Sequence, residues 1–470
     1  MGKYLLKAIL VLSFVSSHAL AARLASYCHM DEDGKNIQGK NFDSRMPIAS
    51  VSKVFTSYLA ARKYALGAKF TTYVHFTPVQ GETDTFDVHI RGSADPYFNQ
   101  YKMHMIISRL NQAGVKKIRQ LSFDENVKYL NDTDNVNSRS GVTVSVPRVN
   151  PKTGKTFMAR YTYNPLIIKS TLDFPAPEIV KAQLQNTKQV LLKYKVSYQL
   201  SNKDMVANPV YNPRSVVFTP VGNLKLTNKT QTLYVSSQDL ETILKSMNWN
   251  SNNFSANRLL EASGGLSEFN DFYYKQLKLK DSDLKFINGS GQNHAQFVND
   301  PDGRAYNEAT CRTTLRTLRG LNDIVSQQKK QLTDIMSVVG VDRKSTVGGK
   351  TYSNNLTFNR VVAKTGTVGT HVSLAGAINT PKGLRYFMFN VALEGPRRKV
   401  RNLSRYQIQE ENRARGIISI ELQKLARQYG TIPFKYTLRD PLIESLENYD
   451  EDEIAEKSGA LSAEQFEPIN

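Results

Sequence analysis

Cysteine, tryptophan and long apolar runs are all scarce in this sequence of 470 residues. Two cysteines exclude a disulfide-rich scaffold and a zinc module with four cysteine ligands. The seven histidines include no His-Glu-x-x-His pair, so the sequence predicts no metal site. Beyond the leader described below, no segment reaches about 18 uninterrupted apolar residues, and no transmembrane anchor is predicted in the mature chain.

Apolar and aromatic residues are nevertheless abundant enough for a folded protein. Hydrophobic residues make up 40% of the chain, with 23 tyrosines and 21 phenylalanines beside the single tryptophan. This content excludes a wholly disordered chain. At roughly 150 residues per domain, the length predicts two or three domains.

The first 21 residues have the pattern of an export signal. Lys3 and Lys7 precede a short apolar run at residues 8–15, and residues 19–21 read Ala-Leu-Ala, a small-residue cleavage site. An uncleaved anchor is the alternative, but this run is far shorter than the roughly 20 residues that span a bilayer. We therefore expect cleavage after Ala21 and an exported protein, periplasmic or secreted.

The two cysteines leave two arrangements open. In an oxidising compartment Cys28 and Cys311 can form a disulfide. Two independent buried thiols fit the sequence equally well, and no residue pattern chooses between them.

Basic residues outnumber acidic residues, 62 to 42, for a formal net charge of +20. Residues 440–470 hold ten acids and one lysine, which predicts an acidic, disordered tail and leaves the remainder more basic still. Such a surface attracts polyanions. No nucleic-acid recognition motif accompanies the charge, so nucleic acid is not expected as a partner. An anionic cell-envelope polymer fits better, and a solvated basic surface without a specific ligand is the alternative.

Hydrophobic periodicity predicts helices on both sides of a strand-rich middle. Residues 41–67 contain apolar positions at helical spacing. From residue 68 to residue 232 alternation predominates, which predicts an inserted β-rich domain. Within it we expect a long hairpin over residues 142–163 and a helix over residues 177–192, and a further helix follows over residues 238–247.

The C-terminal third predicts an antiparallel sheet followed by a helix. Residues 359–363 resemble a strand, and apolar runs at 371–378 and 386–393 flank a turn that contains Pro and Gly, which is typical of a hairpin. Residues 408–429 have an amphipathic helical pattern. Helices before and after an antiparallel sheet indicate an α+β domain. The predicted parts are a signal peptide at 1–21, a discontinuous α+β domain at 22–67 and 233–439, the insertion at 68–232 and the tail at 440–470.

A serine and a lysine stand three residues apart at the start of the first predicted helix, as Ser50-Val51-Ser52-Lys53. That spacing places both side chains on one helix face within contact distance. A serine hydroxyl is a weak nucleophile without an adjacent base. Lysine can be that base only if burial or a second cation lowers its pKa from about 10.4. The same spacing at Ser282 and Ser326 fits an ordinary polar helix face.

A second lysine ends a predicted strand in the run Lys364-Thr365-Gly366-Thr367. A strand ending there can bind an extended peptide by backbone hydrogen bonds. Gly366 permits the substrate to approach closely, while Thr365 and Thr367 offer hydroxyls to a carboxylate. A similar run at residues 152–154 lies in the expected hairpin turn, where these residue types are common, and we reject it.

A third pattern, Ser-x-Asn, occurs at least four times, beginning at Ser246, Ser251, Ser255 and Ser353. Each copy is also typical of a polar loop or a helix cap. Spacing alone therefore does not choose among them.

The order Ser-x-x-Lys, Ser-x-Asn, Lys-Thr-Gly resembles the penicillin-binding protein and serine β-lactamase superfamily. The gap of about 200 residues between the first two motifs is similar to the low-molecular-mass class C branch, the D-Ala-D-Ala carboxypeptidase/endopeptidase family. The stretch at 247–253 looks like that family's Met-Asn-x-x-Ser-x-Asn segment, and it selects Ser251 and Asn253. Three other stretches also resemble family markers, namely residues 47–53, 92–96 and 288–291.

The resemblance implies both a fold and a chemistry. The fold would be a penicillin-binding transpeptidase-like α+β domain, an antiparallel sheet flanked by helices, plus the inserted β-rich domain. The activity would be that of a serine D-Ala-D-Ala peptidase, a carboxypeptidase and/or endopeptidase acting on peptidoglycan stem peptides and cross-links. β-Lactam antibiotics would be covalent inhibitors, and no metal or organic cofactor would be needed. Ala94 and Asn288 depart from the family's glycine and aspartate at their positions, which bears on substrate preference.

The resemblance also implies a role for each motif side chain near the nucleophile. Ser50 would attack the carbonyl, and neutral Lys53 would accept its proton. Ser251 would relay a proton to the leaving amine. Asn253 would hold the amide of the substrate.

The last motif would support this reaction from the strand. Lys364 would lower the pKa of Lys53 and bind the substrate carboxylate together with Thr365 and Thr367. The backbone N–H groups of Ser50 and Thr367 would form the oxyanion hole, in which each donor typically contributes about 3 kcal/mol.

Two other functions share these motifs. A serine β-lactamase would need a carboxylate that promotes rapid deacylation, and no glutamate in the sequence can be assigned to that task. A catalytically inactive envelope-binding protein would keep the fold, but the presence of every motif side chain argues against it.

Overall fold

The computed structural model describes most of the chain between residues 23 and 438. The described ranges are 23–98, 100–127, 142–149, 156–163, 208–291, 306–393 and 403–438, with a few single positions between 177 and 206. The predicted signal peptide and acidic tail lie outside these ranges, as does most of the helix expected over 177–192. None of the described helices combines the length and apolarity that crossing a bilayer requires.

The described elements comprise strands, helices and a few short turns. The strands are β1 (Arg23–Met30), β2 (Ile37–Lys40), β3 (Met46–Pro47), β4 (Lys69–Pro78), β5 (Thr85–Arg91), β6 (Lys117–Phe123), β7 (Val142–Val149), β8 (Thr156–Tyr163), β9 (Pro213–Phe218), β10 (Gln231–Asp239), β11 (Leu284–Lys285), β12 (Glu308–Ala309), β13 (Ser337–Val338), β14 (Val361–Val368), β15 (His371–Thr380) and β16 (Gly383–Ala392). The helices are α1 (Ser52–Lys63), α2 (Gln100–Gln112), α3 (Leu240–Asn250), α4 (Asn253–Ala262), α5 (Gly265–Asn270), α6 (Cys311–Gln327), α7 (Leu332–Ile335) and α8 (Leu403–Tyr429).

The largest sheet is antiparallel, with strand order β13-β14-β15-β16-β1-β2. Helices cover both of its faces. Ala375 in β15 is buried in the same cluster as residues of α1 and α6, whereas the adjacent Leu374 is buried with Ile418 of α8. Burial on both faces explains why β15 and β16 read as continuous apolar runs in the sequence. The predicted α+β domain with an antiparallel sheet between helices is confirmed.

The segment between α1 and α3 forms a second sheet, of order β10-β4-β5-β6-β9. Its first three strands are antiparallel neighbours, but β5, β6 and β9 run parallel. On one face, α2 contributes Met103 and Ile106 to a core that contains Val88 and Ile90. The expected hairpin is confirmed as β7 and β8.

This second sheet differs from the prediction in two respects. It is a mixed sheet with a packed helix. This was not predicted, because parallel neighbours need crossover connections that the local alternation of the sequence does not reveal. It also extends past residue 232, where the sequence predicted its end, since β10 pairs with β4 as far as Asp239 opposite Lys69.

Cys28 in β1 and Cys311 at the start of α6 form a disulfide, with Cα atoms 6.0 Å apart. Of the two arrangements that the sequence left open, the protein has the paired one. The bond joins the central sheet to the helix that packs beside α1.

Candidate active site

Ser50 lies in a short 3-10 turn, Ala49–Val51, immediately before α1. Ala49 has a φ of +49°, in the left-handed region that is unfavourable for a residue with a Cβ atom. A buried contact holds this strained turn, since the Ser373 hydroxyl donates to the Ile48 carbonyl oxygen at 3.0 Å. Strain that is stabilised by surrounding structure is typical of a functional site.

Gly366 brings β14 against this turn. A Cβ atom on Gly366 would lie 2.5 Å from the Ile48 carbonyl oxygen and 2.5 Å from Ser373 Oγ. The close approach that Gly366 permits is therefore to the protein's own nucleophile turn, and not the approach of substrate that we expected. Side chains alternate in direction along a strand, so position 366 faces the opposite side of β14 from Thr365 and Thr367.

The outer edge of β14 is open beside Ser50. β13 pairs only with Val362 and Ala363 of this strand. From Lys364 to Val368, no other described strand pairs with that edge, while β15 pairs with the opposite edge throughout. An extended peptide can therefore add to β14 at this position by backbone hydrogen bonds.

Lys53 lies one helical turn after Ser50, with its Nζ atom 3.0 Å from Ser50 Oγ. The amine also donates to Asn253 Oδ1 at 2.7 Å and to the Ser290 carbonyl oxygen at 3.0 Å. Burial, reinforced by the charge of Lys364, lowers the pKa of Lys53 well below its ordinary value near 10.5.

An uncharged amine can satisfy all three of these neighbours. A neutral –NH2 group has two N–H donors and one lone pair. The oxygens of Asn253 and Ser290 can only accept, so they take both donors. The lone pair is then left for the Ser50 hydroxyl, which can both donate and accept. The geometry suits proton transfer from Ser50 to Lys53.

Lys364 is the second buried amine of the cleft. Its Nζ atom donates to Ser251 Oγ and to the Thr365 carbonyl oxygen, both at 2.9 Å. Burial lowers its pKa to about 7. Among the described residues, neither Lys364 nor Lys53 forms an ion pair with a carboxylate.

One Ser-x-Asn copy reaches the two lysines. Ser251 ends α3 with a left-handed φ of +54°, and Asn253 begins α4, so both lie in the tight turn between the helices. Other copies have different surroundings. Asn248 Nδ2 donates to the Ile335 carbonyl oxygen, and Asn257 Oδ1 accepts from the Ser290 N–H.

The structure thus brings together the five side chains predicted from the motifs around a single point beside β14. They are Ser50, Lys53, Ser251, Asn253 and Lys364. The competing Ser-x-x-Lys serines, Ser282 and Ser326, are exposed and take no part in these contacts. Within the described ranges, no three His, Cys, Asp or Glu side chains cluster in a way that could hold a metal ion.

Three contributors to the site were not predicted from the sequence. The Ser290 carbonyl oxygen accepts from Lys53, and Asn288 shapes its loop by accepting from the N–H groups of Ser290 and Gly291. Residues 288–291 had been noticed only as a family-like stretch. Ser373 gave no signal at all, because its contact with the nucleophile turn joins positions 325 residues apart.

Known structures share this fold. A predatory endopeptidase from Bdellovibrio bacteriovorus, crystallised with an immunity protein, superposes with a TM-score of 0.72 at 28% identity, over 89% of this chain and 97% of that chain. A penicillin G-acylated form of that endopeptidase superposes with a TM-score of 0.69 at 28% identity, over 90% and 97% of the two chains. Penicillin-binding protein 4 from Haemophilus influenzae shares the fold at 14% identity, with a TM-score of 0.56 over 88% and 99%.

Sequence comparison assigns the family. No curated protein sequence matches the chain. The model of the D-Ala-D-Ala carboxypeptidase 3 (S13) family matches residues 13–134 and 220–410, which is more than half of the sequence. The match confirms the resemblance that the three motifs indicated. The chain belongs to the D-Ala-D-Ala carboxypeptidase 3 (S13) family.

Proposed function

We propose that this protein is a serine D-alanyl-D-alanine peptidase that acts on peptidoglycan through an acyl-enzyme on Ser50. One observation carries the proposal, namely the 3.0 Å approach of the buried Lys53 amine to the Ser50 hydroxyl. Membership of the S13 family supports the D-Ala-D-Ala specificity.

Acylation begins with attack of Ser50 Oγ on the carbonyl carbon of the scissile amide. As the new C–O bond forms, the hydroxyl proton moves to the lone pair of Lys53. The backbone N–H groups of Ser50 and Thr367 stabilise the negative charge on the carbonyl oxygen. The strained turn at Ala49 and the close packing of Gly366 support this role, because they fix the two backbone segments against each other.

Collapse of this intermediate breaks the C–N bond. The leaving amine takes a proton from the Ser251 hydroxyl. Ser251 then regains a proton from the two lysines of the site, Lys53 and Lys364. The 2.9 Å contact of Lys364 Nζ with Ser251 Oγ supports such a relay. Asn253 holds the substrate amide. Water then attacks the ester, Lys53 takes the proton of the water, and Ser50 leaves with a proton.

The same residues serve carboxypeptidase and endopeptidase reactions, which differ in what lies beyond the scissile bond. Similarity to a predatory peptidoglycan endopeptidase supports cleavage of cross-links. Membership of a carboxypeptidase family supports cleavage of terminal D-Ala. Chromatography of digested peptidoglycan separates the two reactions. Monomers released from dimers identify endopeptidase activity, and stem peptides shortened by one alanine identify carboxypeptidase activity.

Export to the compartment that holds the substrate forms part of the proposal. The leader pattern at residues 1–21 supports it, and so does the Cys28–Cys311 disulfide, because such bonds persist in oxidising compartments. The protein would then be periplasmic or secreted. N-terminal sequencing of the mature protein tests this, with cleavage after Ala21 as the expected result.

β-Lactams are expected to be long-lived inhibitors. The related Bdellovibrio endopeptidase forms an acyl adduct with penicillin G. In the described part of this chain, no carboxylate contacts Ser50 or Lys53. A group that would activate water for rapid deacylation, as a β-lactamase needs, is therefore not among those contacts.

Labelling with a fluorescent penicillin tests the assignment of the nucleophile. The wild-type protein should form a stable covalent adduct, and Ser50→Ala should form none. Ser326→Ala is the matched control, because Ser326 has the same Ser-x-x-Lys spacing but is exposed on α6. Rapid turnover of the probe would indicate a β-lactamase, and absence of labelling in the wild type would indicate a binding protein without this activity.

A further inference from the structure

The proposed mechanism leaves the cleft short of permanent positive charge. Burial lowers the pKa of Lys53, and it lowers the pKa of Lys364 to about 7. Burial therefore disfavours the charged form of both amines. Thr365 and Thr367 offer only neutral hydroxyls. A substrate ending in D-Ala carries a full negative charge beyond the scissile bond, and hydrogen bonds to a carboxylate are roughly twice as strong when the donor is charged.

Arg415 brings a cation to this position from the C-terminal helix. Its Nη2 atom lies 3.5 Å from Thr367 Oγ1, at the open edge of β14. The preceding residue, Ala414, is buried against the central sheet, so the packing of α8 fixes the backbone from which the guanidinium reaches the cleft. The Arg415 side chain is 30% exposed, which leaves it accessible to a ligand.

Two side chains of α8 orient the guanidinium. Asn412 Oδ1 accepts from Nη1 at 3.0 Å, and Glu411 Oε2 accepts from Nη2 at 3.0 Å. With the Thr367 contact, these engage at most three of the five N–H groups of the arginine within the described residues. The pair with Glu411 is partly exposed, and such pairs are weak. The remaining donors can bind a second carboxylate.

We propose that Arg415 is a specificity-determining residue, which binds the substrate carboxylate beyond the scissile bond together with the hydroxyls of Thr365 and Thr367. The inference rests on the proposed function. It makes the peptidase selective for substrates with a free carboxylate at this position, and amides or esters of the same carboxylate become poor substrates.

A pair of acylating probes isolates this contact. Benzylpenicillin carries the carboxylate, and its methyl ester presents the same reactive ring without the charge. Arg415→Ala should lower the second-order rate of acylation by benzylpenicillin about 10- to 100-fold, the worth of one charged hydrogen bond, and leave the rate with the ester unchanged. Arg415→Lys should be intermediate, because an ammonium keeps the charge but loses the planar fork.

Arg413→Ala is the matched control. Arg413 lies two positions earlier on α8, its side chain is 56% exposed, and it pairs only loosely with Glu410, at 4.0 Å. Both rates should stay at the wild-type value. Equal loss with both probes in Arg415→Ala, or no loss with either, would overturn the inference. Failure of the wild-type protein to react with either probe would instead refute the proposed function on which it rests.

Discussion

The active-site cleft and the contact between α3 and Asp342 both bury lysines, but in opposite surroundings. Lys245 of α3 has its Nζ atom 2.9 Å from Asp342 Oδ2, and both side chains are almost fully buried. In the cleft, Lys53 and Lys364 are also buried, yet their hydrogen-bond partners in the described chain are hydroxyl, amide and carbonyl oxygens.

The partner, and not burial alone, separates a structural lysine from a reactive one. Removing an ammonium from water is costly unless an opposite charge compensates it. Asp342 supplies that charge to Lys245. The described residues in contact with Lys53 supply none, so the free energy of desolvation favours the uncharged amine, which is the form that can accept a proton from Ser50.

The largest expected effect comes from removing the proposed base. Lys53→Met should slow acylation by a fluorescent penicillin about 10²- to 10⁴-fold, the usual contribution of a general base. The free energy of unfolding should fall by no more than about 1–3 kcal/mol, because Met has a similar size but the oxygens of Asn253 and Ser290 lose their donor. Stopped-flow labelling and urea unfolding measure the two quantities. Labelling at the wild-type rate would contradict the assignment.

Replacing Lys245 of α3 by Met should instead affect stability. Lys245→Met leaves the buried Asp342 carboxylate without its cation, and the free energy of unfolding should fall by about 3–5 kcal/mol. The double variant Lys245→Met/Asp342→Asn should recover much of this loss, because it also removes the unpaired charge. Urea unfolding of both variants makes the measurement. A loss as small as that of Lys53→Met would remove the distinction between the two regions.

A carboxylate introduced into the active-site cleft should make the surroundings of Lys53 resemble those of Lys245. In Asn253→Asp, a negative charge lies at the position 2.7 Å from Lys53 Nζ, and it raises the pKa of that amine. Acylation at neutral pH should fall about tenfold or more and recover partly at alkaline pH. Asn253→Ala is the control, since it loses the amide without adding charge. Its pH profile should keep the position of the wild-type profile, and a shift shared by both variants would exclude the electrostatic explanation.

A further effect is expected on the pH dependence of stability. The pKa of Lys364 is about 7 in the folded protein, below the value near 10.4 expected in the unfolded chain. Between these values the unfolded state binds the extra proton, so this lysine makes stability rise with pH by about 1 kcal/mol per pH unit. Below pH 7 both states are protonated, and stability no longer changes with pH through this lysine. Lys364→Met should therefore show a shallower rise between pH 7 and 10 in urea unfolding, and an unchanged slope would show that the amine titrates normally.

Local patterns predicted those elements whose partners are close in the chain. The hairpin of β15 and β16 has its turn in the sequence, and α8 has an amphipathic repeat over many residues. The parallel pairing of β6 with β9 was not predicted, because Ile118 lies opposite Pro213 across a long connection. The helix α2 was missed as well, since it lies inside a segment where alternation predominates.

The active site shows the same division. The spacing of Ser50 and Lys53 follows from one helical turn, so their contact was predictable. Which Ser-x-Asn copy joins them was not predictable from spacing. It required the resemblance of the flanking residues, and the structure places Asn253 at the lysine. Arg415 had no sequence signal, because its neighbour Thr367 is 48 positions away.

Covalent spacing and residue type act locally, so they were sufficient to identify the reactive groups, their order along the chain and the α+β class. The protonation state of those groups arises only in the folded protein. The charge of Lys53 depends on which atoms surround it after folding, and these come from positions 50, 253 and 290. The burial of Lys53 among uncharged partners is a property of the packed cleft, and no segment of the chain possesses it alone.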